Sequence, residues 1–453
     1  MTRIVYQMSL VDEPSHIVYV PKSYKSSTLT HVAFGTLSLP CVVKTHASLQ
    51  NEILLSTSLF EQLSMPFCQT IYLFQTEDTL HIGPLIGILS AGFTGSLLRP
   101  VGKRSLPFAK LLSTATATGG YPFVFGIHHI NWNRGRINGY FYTNDGWEQH
   151  EVPFPNVVYN RLPNRKTENL DMFQLVKEKL CSQYLIPLFN PDFFDKWTID
   201  QLMRKNEQTA KLLPETYASP DASRIQSMLS KHRSIYLKPK DGSLGNGVYE
   251  VTLCDNNTYR ACYKDSSSNQ LVTKTLHSLD DVFSLLDKQA LPSYLVQQSI
   301  PLMTKQGRKV DFRVHTNKNE HGQWVMTVAA AKLAAKNSVT THVNSGGTIK
   351  TLEEIYDCKV ECQKVKGLLE KAAILASNQI EQHIDGVIGE IGFDFGLDKD
   401  QNLWIFEANS KPGRSIFTHP KLYEADQLTR KYSLLYATHL AEESMCKPGE
   451  IYV

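Results

Sequence analysis

Ser234-Ile-Tyr-Leu-Lys-Pro-Lys-Asp-Gly-Ser-Leu-Gly-Asn-Gly-Val-Tyr-Glu-Val251 reads as an apolar strand, a glycine loop and a second strand. The first strand ends in Lys238, Pro239 and Lys240, and the loop carries Gly242, Gly245 and Gly247. Glycines let backbone N–H groups approach an anion closely, and lysines add point charges suited to phosphate. A Walker A loop would place GK[ST] at a helix start, whereas this loop is flanked by strands and lacks that ending. Taken alone, the stretch also reads as a surface hairpin with incidental glycines.

A second constellation lies near the C-terminus. Gly392-Phe-Asp394-Phe closes one apolar strand, and Leu403-Trp-Ile-Phe-Glu407-Ala-Asn409 closes the next. Positions two apart on a strand share a face, so Glu407 and Asn409 project together, and Asp394 on a neighbouring strand can join them. Two carboxylates and an amide oxygen suit magnesium held jointly with substrate phosphates. Solvated edge charges are the plain alternative, weakened because an unpaired charge within so apolar a strand is expensive.

The 453 residues set a prior of three domains or two large ones. Lys and Arg number 47 against 44 Asp and Glu, and the net charge of +3 predicts no strong field towards nucleic acid, membrane or acidic polymers. With 42% apolar, 10% aromatic and 20% charged residues, the composition is that of an ordinary folded chain and excludes disordered, collagen-like and coiled-coil classes. The eight cysteines are scattered, with no CxxC, so neither a zinc site nor a disulfide framework is expected. The N-terminal MTRIVYQMSLVDEPSH lacks the apolar centre of a signal peptide. From Thr79 to Leu98 no charged residue occurs, a length that could span a bilayer. Its glycines and Pro84 favour a buried strand, Leu85–Leu89, followed by a glycine-rich loop, so the whole run is expected to be core.

Three segments emerge along the chain. Residues 1–75 carry β-branched runs separated by turns and read as β-rich. Residues 76–189 alternate strands with helical periodicity, including a helix over 106–118 and strands at 121–130 and 156–160. Residues 190–445 contain helices at 199–213, 279–289 and 352–382 and strands at 235–239, 248–253, 294–298, 310–316, 325–330, 389–395 and 404–408. Mixed α/β (α+β) architecture follows. The chain has no GxGxxG dinucleotide fingerprint and no GxSxG nucleophile elbow. His128 and His129 lack a third ligand and read as a core or loop pair. Arg161 and Arg165 follow a buried strand and could reach an anionic acceptor, although a salt bridge to Glu168 is preferred.

The two constellations, in this order and at this separation, resemble the ATP-grasp superfamily. The chain as a whole is similar to the YheC/YheD family of endospore coat-associated proteins of spore-forming bacteria. The resemblance is carried by Phe194-Asp-Lys-Trp197, Leu212-Leu-Pro-Glu-Thr216, Leu237-Lys-Pro-Lys-Asp-Gly242, Gln297-Gln-Ser-Ile300, Asp311-Phe-Arg313, Asn344-Ser-Gly-Gly347 and the Asp394 and Glu407–Asn409 region. In the first half it rests on Ile82–Leu89 and Val157–Arg161. What it implies is a β-rich N-terminal segment, an α/β pre-ATP-grasp domain and a two-subdomain ATP-grasp domain that holds ATP between its halves.

By the same resemblance, Lys196 and Lys238, with Lys240 beside them, face the ATP phosphates. The loop with Gly242, Gly245 and Gly247 closes over the triphosphate as a flap. Gln297, Gln298 and Ile300 form the hinge that reads adenine, and Asp394, Glu407 and Asn409 hold Mg2+. Lys332 lies where related ligases carry a basic residue facing the transferred phosphoryl group; a lysine there lacks arginine's bidentate grip. Arg313 either joins that group or forms a structural ion pair with Asp311.

The implied reaction is ATP-dependent carboxylate–amine ligation, with ADP and phosphate as products and an unidentified carboxylate acceptor. The alternative is a non-catalytic ATP-binding scaffold or coat-assembly protein with spore coat proteins as partners. No nucleic acid and no membrane span are expected. The implied location is the mother-cell cytoplasm, at the forespore surface or spore coat.

Overall fold

The computed structural model describes residues 4–24, 28–241, 247–265, 270–286, 288–335 and 346–450. Gly242 and Gly245 of the expected flap, and Asn344 and Ser345, lie outside the described residues. Four sheets follow one another along the chain. The first runs from Val5–Val11 to Thr79–Ile82 and has eight strands, with parallel and antiparallel neighbours. The second is built on four parallel strands in the order Tyr121–Phe125, Leu85–Leu89, Val157–Asn160 and Leu188–Phe189, with the hairpin Arg136–Thr143 and Gly146–Pro153 on its edge. These two sheets share one core, in which Phe34 meets Tyr121 edge-on at 5.1 Å. Gly119 makes the junction close. Its φ of +72° suits glycine, and a Cβ there would lie 2.4 Å from the Tyr72 backbone nitrogen, which donates to the Gly119 carbonyl.

The third sheet is antiparallel throughout, in the order Thr216–Ala218, Tyr294–Gln298, Ser234–Pro239, Tyr249–Leu253, Tyr259–Lys264 and Leu271–Leu276. Helices Ala222–His232 and Leu279–Leu285 cover one face through Ile225, Leu229, Val282 and Phe283. The fourth sheet centres on Arg308–Lys318, flanked by Trp324–Leu333 and Glu390–Leu397, with Leu403–Asn409 beyond. Alternation divides its middle strand: Val310, Phe312 and Val314 face the helix Lys359–Glu381, whereas Asp311, Arg313 and His315 share the other face.

Several elements differ from the sequence expectation. The helix over 199–213 is two, Lys196–Arg204 and Glu207–Ala210, because Asn206 accepts from the Gln208 and Thr209 N–H groups and caps a new start. The helix over 352–382 likewise splits into Leu352–Ile355 and Lys359–Glu381. The strand over 121–130 stops at Phe125, and Ile127–His129 turn in a 3-10 helix. There the Gly126 N–H donates to His129 Nδ1, and burial with His128 alongside pushes His129 down to about 4. The charge-free run also divides: Leu85–Leu89 is wholly buried, but Leu97 and Leu98 stand exposed in the loop beyond. Sequence patterning missed the helix Tyr423–Cys446 altogether. It packs Leu434, Tyr436, Ala437, Leu440 and Ala441 against Ile86, Ile88 and Val157 of the second sheet.

Candidate functional site

Lys238 sits near the end of the strand Ser234–Pro239, beside Gln297 on the neighbouring strand. Its Nζ donates to Gln297 Oε1 at 2.6 Å, while Gln297 Nε2 donates to Thr216 Oγ1 at 3.0 Å. Desolvation pushes the Lys238 ammonium down to about 8, against the upward pull of Glu407 and with Lys196 adding to the fall. Lys196 opens the helix that Asp195 caps, and its Nζ lies 3.9 Å from Glu407 Oε1. These four residues line one narrow cavity of about 40 Å³ between the third and fourth sheets. Ile199, Met203, Leu213, Leu295 and Ile405 make much of the remaining wall apolar. An apolar wall with a few convergent polar groups is the make-up of a small-molecule site. At about 40 Å³, however, the slot is far smaller than the roughly 300–1,000 Å³ of such sites and takes a ligand only if the two sheets part.

Beside the cavity the fourth sheet presents its charged face. Asp394 stands opposite Glu407, and Gly392 opposite Asn409, in the antiparallel register. The register then moves to Phe395 opposite Ile405, so Phe406 is the extra residue of a β-bulge next to Glu407. Arg313 Nε lies 3.2 Å from Asp394 Oδ1, and Lys332 Nζ lies 2.8 Å from the same oxygen and 3.3 Å from Asp311 Oδ2. Burial works against the Lys332 charge, but Asp311 and Asp394 outweigh it and hold its pKa above the ordinary value. Arg313 thus pairs with Asp394, and Lys332 joins Asp394 to Asp311, so the four form one buried network. Gly392 lets it close, because a Cβ there would lie 2.4 Å from Pro412 Cβ and 3.1 Å from Arg313 Nη1.

Asp394, Glu407 and Asn409 share one face on paired strands, and their hard oxygen donors fit a divalent cation. Among the described residues no cluster of three or more His, Cys, Asp or Glu forms a metal site. Two carboxylates and an amide suit an ion that shares its coordination with phosphate.

Other expected residues lie elsewhere. Lys240 Nζ donates to Ser219 Oγ at 2.9 Å, and Gly247 adopts φ +69° at the start of the return strand. Gln298 pairs with Glu215, its N–H donating to the Glu215 carbonyl at 2.8 Å, and Ile300 is buried; neither lines the cavity. Nor does Glu168 take Arg161 or Arg165 as its partner. Arg161 pairs with Glu390, which also accepts from Tyr159 OH at 2.5 Å, and Arg165 donates to the Phe193 and Phe194 carbonyls. Glu168 instead pairs with Lys411, two residues beyond Asn409.

Three groups were not anticipated. His315 is buried on the same face as Arg313, against the Phe417 ring, and burial, Arg313 and Arg414 hold it well below the ordinary histidine range. Asp200 lines the cavity and is raised by burial despite Arg204 at 2.6 Å. Asn190 Nδ2 donates to the Glu390 carbonyl at 2.9 Å, and its Oδ1 accepts from the Gly389 N–H at 2.8 Å, fastening the second sheet's last strand to the fourth sheet. The period-two rule could have placed His315 beside Arg313; the other two depend on contacts between distant elements.

A family model described as YheC/D like ATP-grasp matches residues 185–440. The chain belongs to the YheC/D-like ATP-grasp family. It is 44% identical over 449 residues, 98% of each chain, to endospore coat-associated protein YheD of Bacillus subtilis (strain 168). It is 26% identical over 316 residues to endospore coat-associated protein YheC of the same strain, covering 67% of this chain and 86% of that one. Among solved structures, the D-alanine-D-alanine ligase from Coxiella burnetii aligns with a TM-score of 0.45 at 13% identity, over 80% of this chain and 98% of that one. The family match makes the mixed α/β fold that of an ATP-grasp protein, and the cavity with its charged face lies inside the matched ATP-grasp region. No helix among the described residues is long and apolar enough to cross a membrane.

Proposed function

We propose that this protein binds Mg-ATP between its third and fourth sheets, at the cleft marked by Lys196, Lys238, Gln297 and Glu407, and uses it to activate a carboxylate for attack by an amine or another nucleophile. The observation that carries the reading is the convergence of those four side chains beside the Asp311–Arg313–Lys332–Asp394 network. The acceptor carboxylate oxygen attacks the γ-phosphorus, the bond to the β-phosphate oxygen breaks, and ADP leaves with that electron pair. The nucleophile then attacks the acyl carbon, phosphate departs, and an amine nucleophile loses its proton. Such transfer needs positioning and neutralisation of spreading charge more than covalent help. Lys238 and Lys196 neutralise phosphate oxygens, while Arg313 and Lys332 face the transferring group and are themselves held by Asp311 and Asp394. The cation supplies charge neutralisation between phosphate oxygens when Asp394, Glu407 and Asn409 hold it. The coat-associated names of the relatives support work at the spore coat; the mother-cell cytoplasm at the forespore surface is the location proposed for it.

Acceptor-dependent ADP release from the purified chain, with panels of amino acids and polycarboxylates as acceptors, tests the reading. Turnover that needs both an acid and magnesium supports it. ATP binding with no turnover for any acceptor would favour a non-catalytic scaffold, a reading to which the pairing of Asp394 with two cations lends weight.

Lys238 also imposes a pH dependence. Phosphate binds the ammonium form, and the free group loses its proton near 8. Affinity is therefore flat below that value and falls above it by up to about tenfold per pH unit. Calorimetric titration should give a Kd for Mg-ATP about tenfold weaker at pH 9 than at pH 7. Equal affinity at both would remove Lys238 from the phosphate site.

A further inference from the structure

The loop after the strand Leu85–Leu89 carries an exposed leucine pair. Across its base the Thr94 N–H donates to the Pro100 carbonyl at 2.8 Å, and Thr94 Oγ1 donates to the Arg99 carbonyl at 2.7 Å. Arg104 ties the loop's root by donating to Ser90 Oγ at 2.7 Å. Closed at its base, the loop holds Leu97 and Leu98 at its far end, 55% and 88% exposed. Leu106, 66% exposed on the helix Ser105–Leu112, joins them along an open groove of about 570 Å³. Tyr142 and Trp147 line the groove too, their rings 5.3 Å apart at 67°.

The charge around this patch is one-sided. Arg99 and Lys103 line the groove, and Lys110 lies one turn along the helix from Leu106. All three are exposed, and among the described residues none has an ion-pair partner. Asp145 is the one acidic residue lining the groove. A chain with a net charge of only +3 thus carries a local basic, apolar patch on one loop and one helix.

Exposed leucines flanked by Arg and Lys, with Tyr and Trp alongside, are the composition of a surface that sits at a bilayer interface. Leucine enters the acyl boundary, aromatic rings lie at headgroup depth, and cations face anionic headgroups. A protein partner of ordinary stability needs about 800 Å² on each side. A patch built on three leucine tips and two ring edges is narrow for that. We propose that the Leu97–Leu98 loop, with Leu106 and its flanking cations, is a peripheral docking surface for membranes rich in anionic lipid. This goes beyond the nucleotide chemistry and does not depend on it.

Cosedimentation of the full chain with vesicles tests it. Wild type should pellet with equimolar phosphatidylglycerol and phosphatidylcholine and stay in solution with phosphatidylcholine alone. Leu97→Ser with Leu98→Ser should weaken binding about tenfold or more. Arg99→Glu with Lys103→Glu should do the same by removing the preference for anionic lipid. All these side chains are exposed, so the variants should keep the wild-type melting temperature. Wild type that ignores both vesicle types, or variants that bind as well as wild type, would overturn the proposal. So would a dimer that the leucine variant dissociates without any vesicle binding, which would assign the patch to a second copy of the chain.

Discussion

Exchanging Asp394 for asparagine together with Glu407 for glutamine is expected to cut acceptor-dependent ADP formation by about 10³-fold or more. Both carboxylates stand opposite one another on the last two strands of the fourth sheet, where a cation and the phosphate oxygens would share them. The amide replacements keep the shape and remove two negative charges. Asp394 also anchors Arg313 and Lys332, so its loss alone mixes chemistry with stability; Asp311 remains to hold Lys332. Glu407 is partly exposed, with Lys196 at 3.9 Å, so Glu407→Gln should fold normally and still lose about 10²-fold in turnover. Steady-state ADP release at saturating ATP, alongside melting temperature, separates the two effects. Unchanged turnover in Glu407→Gln would remove the charged face from the chemistry.

Glu168→Gln should destabilise the chain by about 3–5 kcal/mol at pH 7, read by urea unfolding. Glu168 and Lys411 are each only 2% exposed, and the carboxylate also accepts from Asn160 Nδ2 at 3.1 Å and from the Phe193 N–H at 2.8 Å. Glutamine replaces one acceptor oxygen with a donor NH₂ and removes the charge opposite a buried ammonium. Burial already pushes Lys411 down to about 8 despite Glu168. Without the carboxylate it falls further, so between that lower value and the unfolded value near 10.4 the unfolded state binds more protons. Stability of the variant must then rise with pH from that lower value, whereas the wild type rises only above about 8 and from there in step with it. The deficit should therefore shrink from about pH 6 to about pH 8 and level off beyond. A deficit that stays constant over this range would mean that the pair contributes shape rather than charge.

The parts of the site legible in the sequence are those that strand alternation displays. Glu407 and Asn409 interrupt apolar positions two apart, Asp394 breaks a phenylalanine pair, and Lys238 ends an apolar run, so each stood out locally. The pairs that join the sheets gave no such signal. Arg161 and Glu390 lie 229 residues apart, and Glu168 and Lys411 lie 243 apart. Neither spacing carries a period, so the sequence alone points Glu168 to arginines near it. The helix Tyr423–Cys446 was missed for a related reason. It buries Asp426, Arg430, Ser433 and Thr438 as well as its apolar side chains, which erases the single apolar stripe that betrays a surface helix. Leu97 and Leu98 look like core by composition, which cannot see a loop tied shut at its base.

The most direct test of the central reading is the melting temperature with and without Mg-ATP, for wild type and for the Asp394→Asn, Glu407→Gln double variant. At about 100 times its Kd a ligand that binds only the native state adds about 2.7 kcal/mol, which should raise the wild-type midpoint by roughly 5 °C. The account predicts a rise that needs magnesium and disappears in the double variant. No rise in the folded wild type, or an equal rise in the variant, would contradict it.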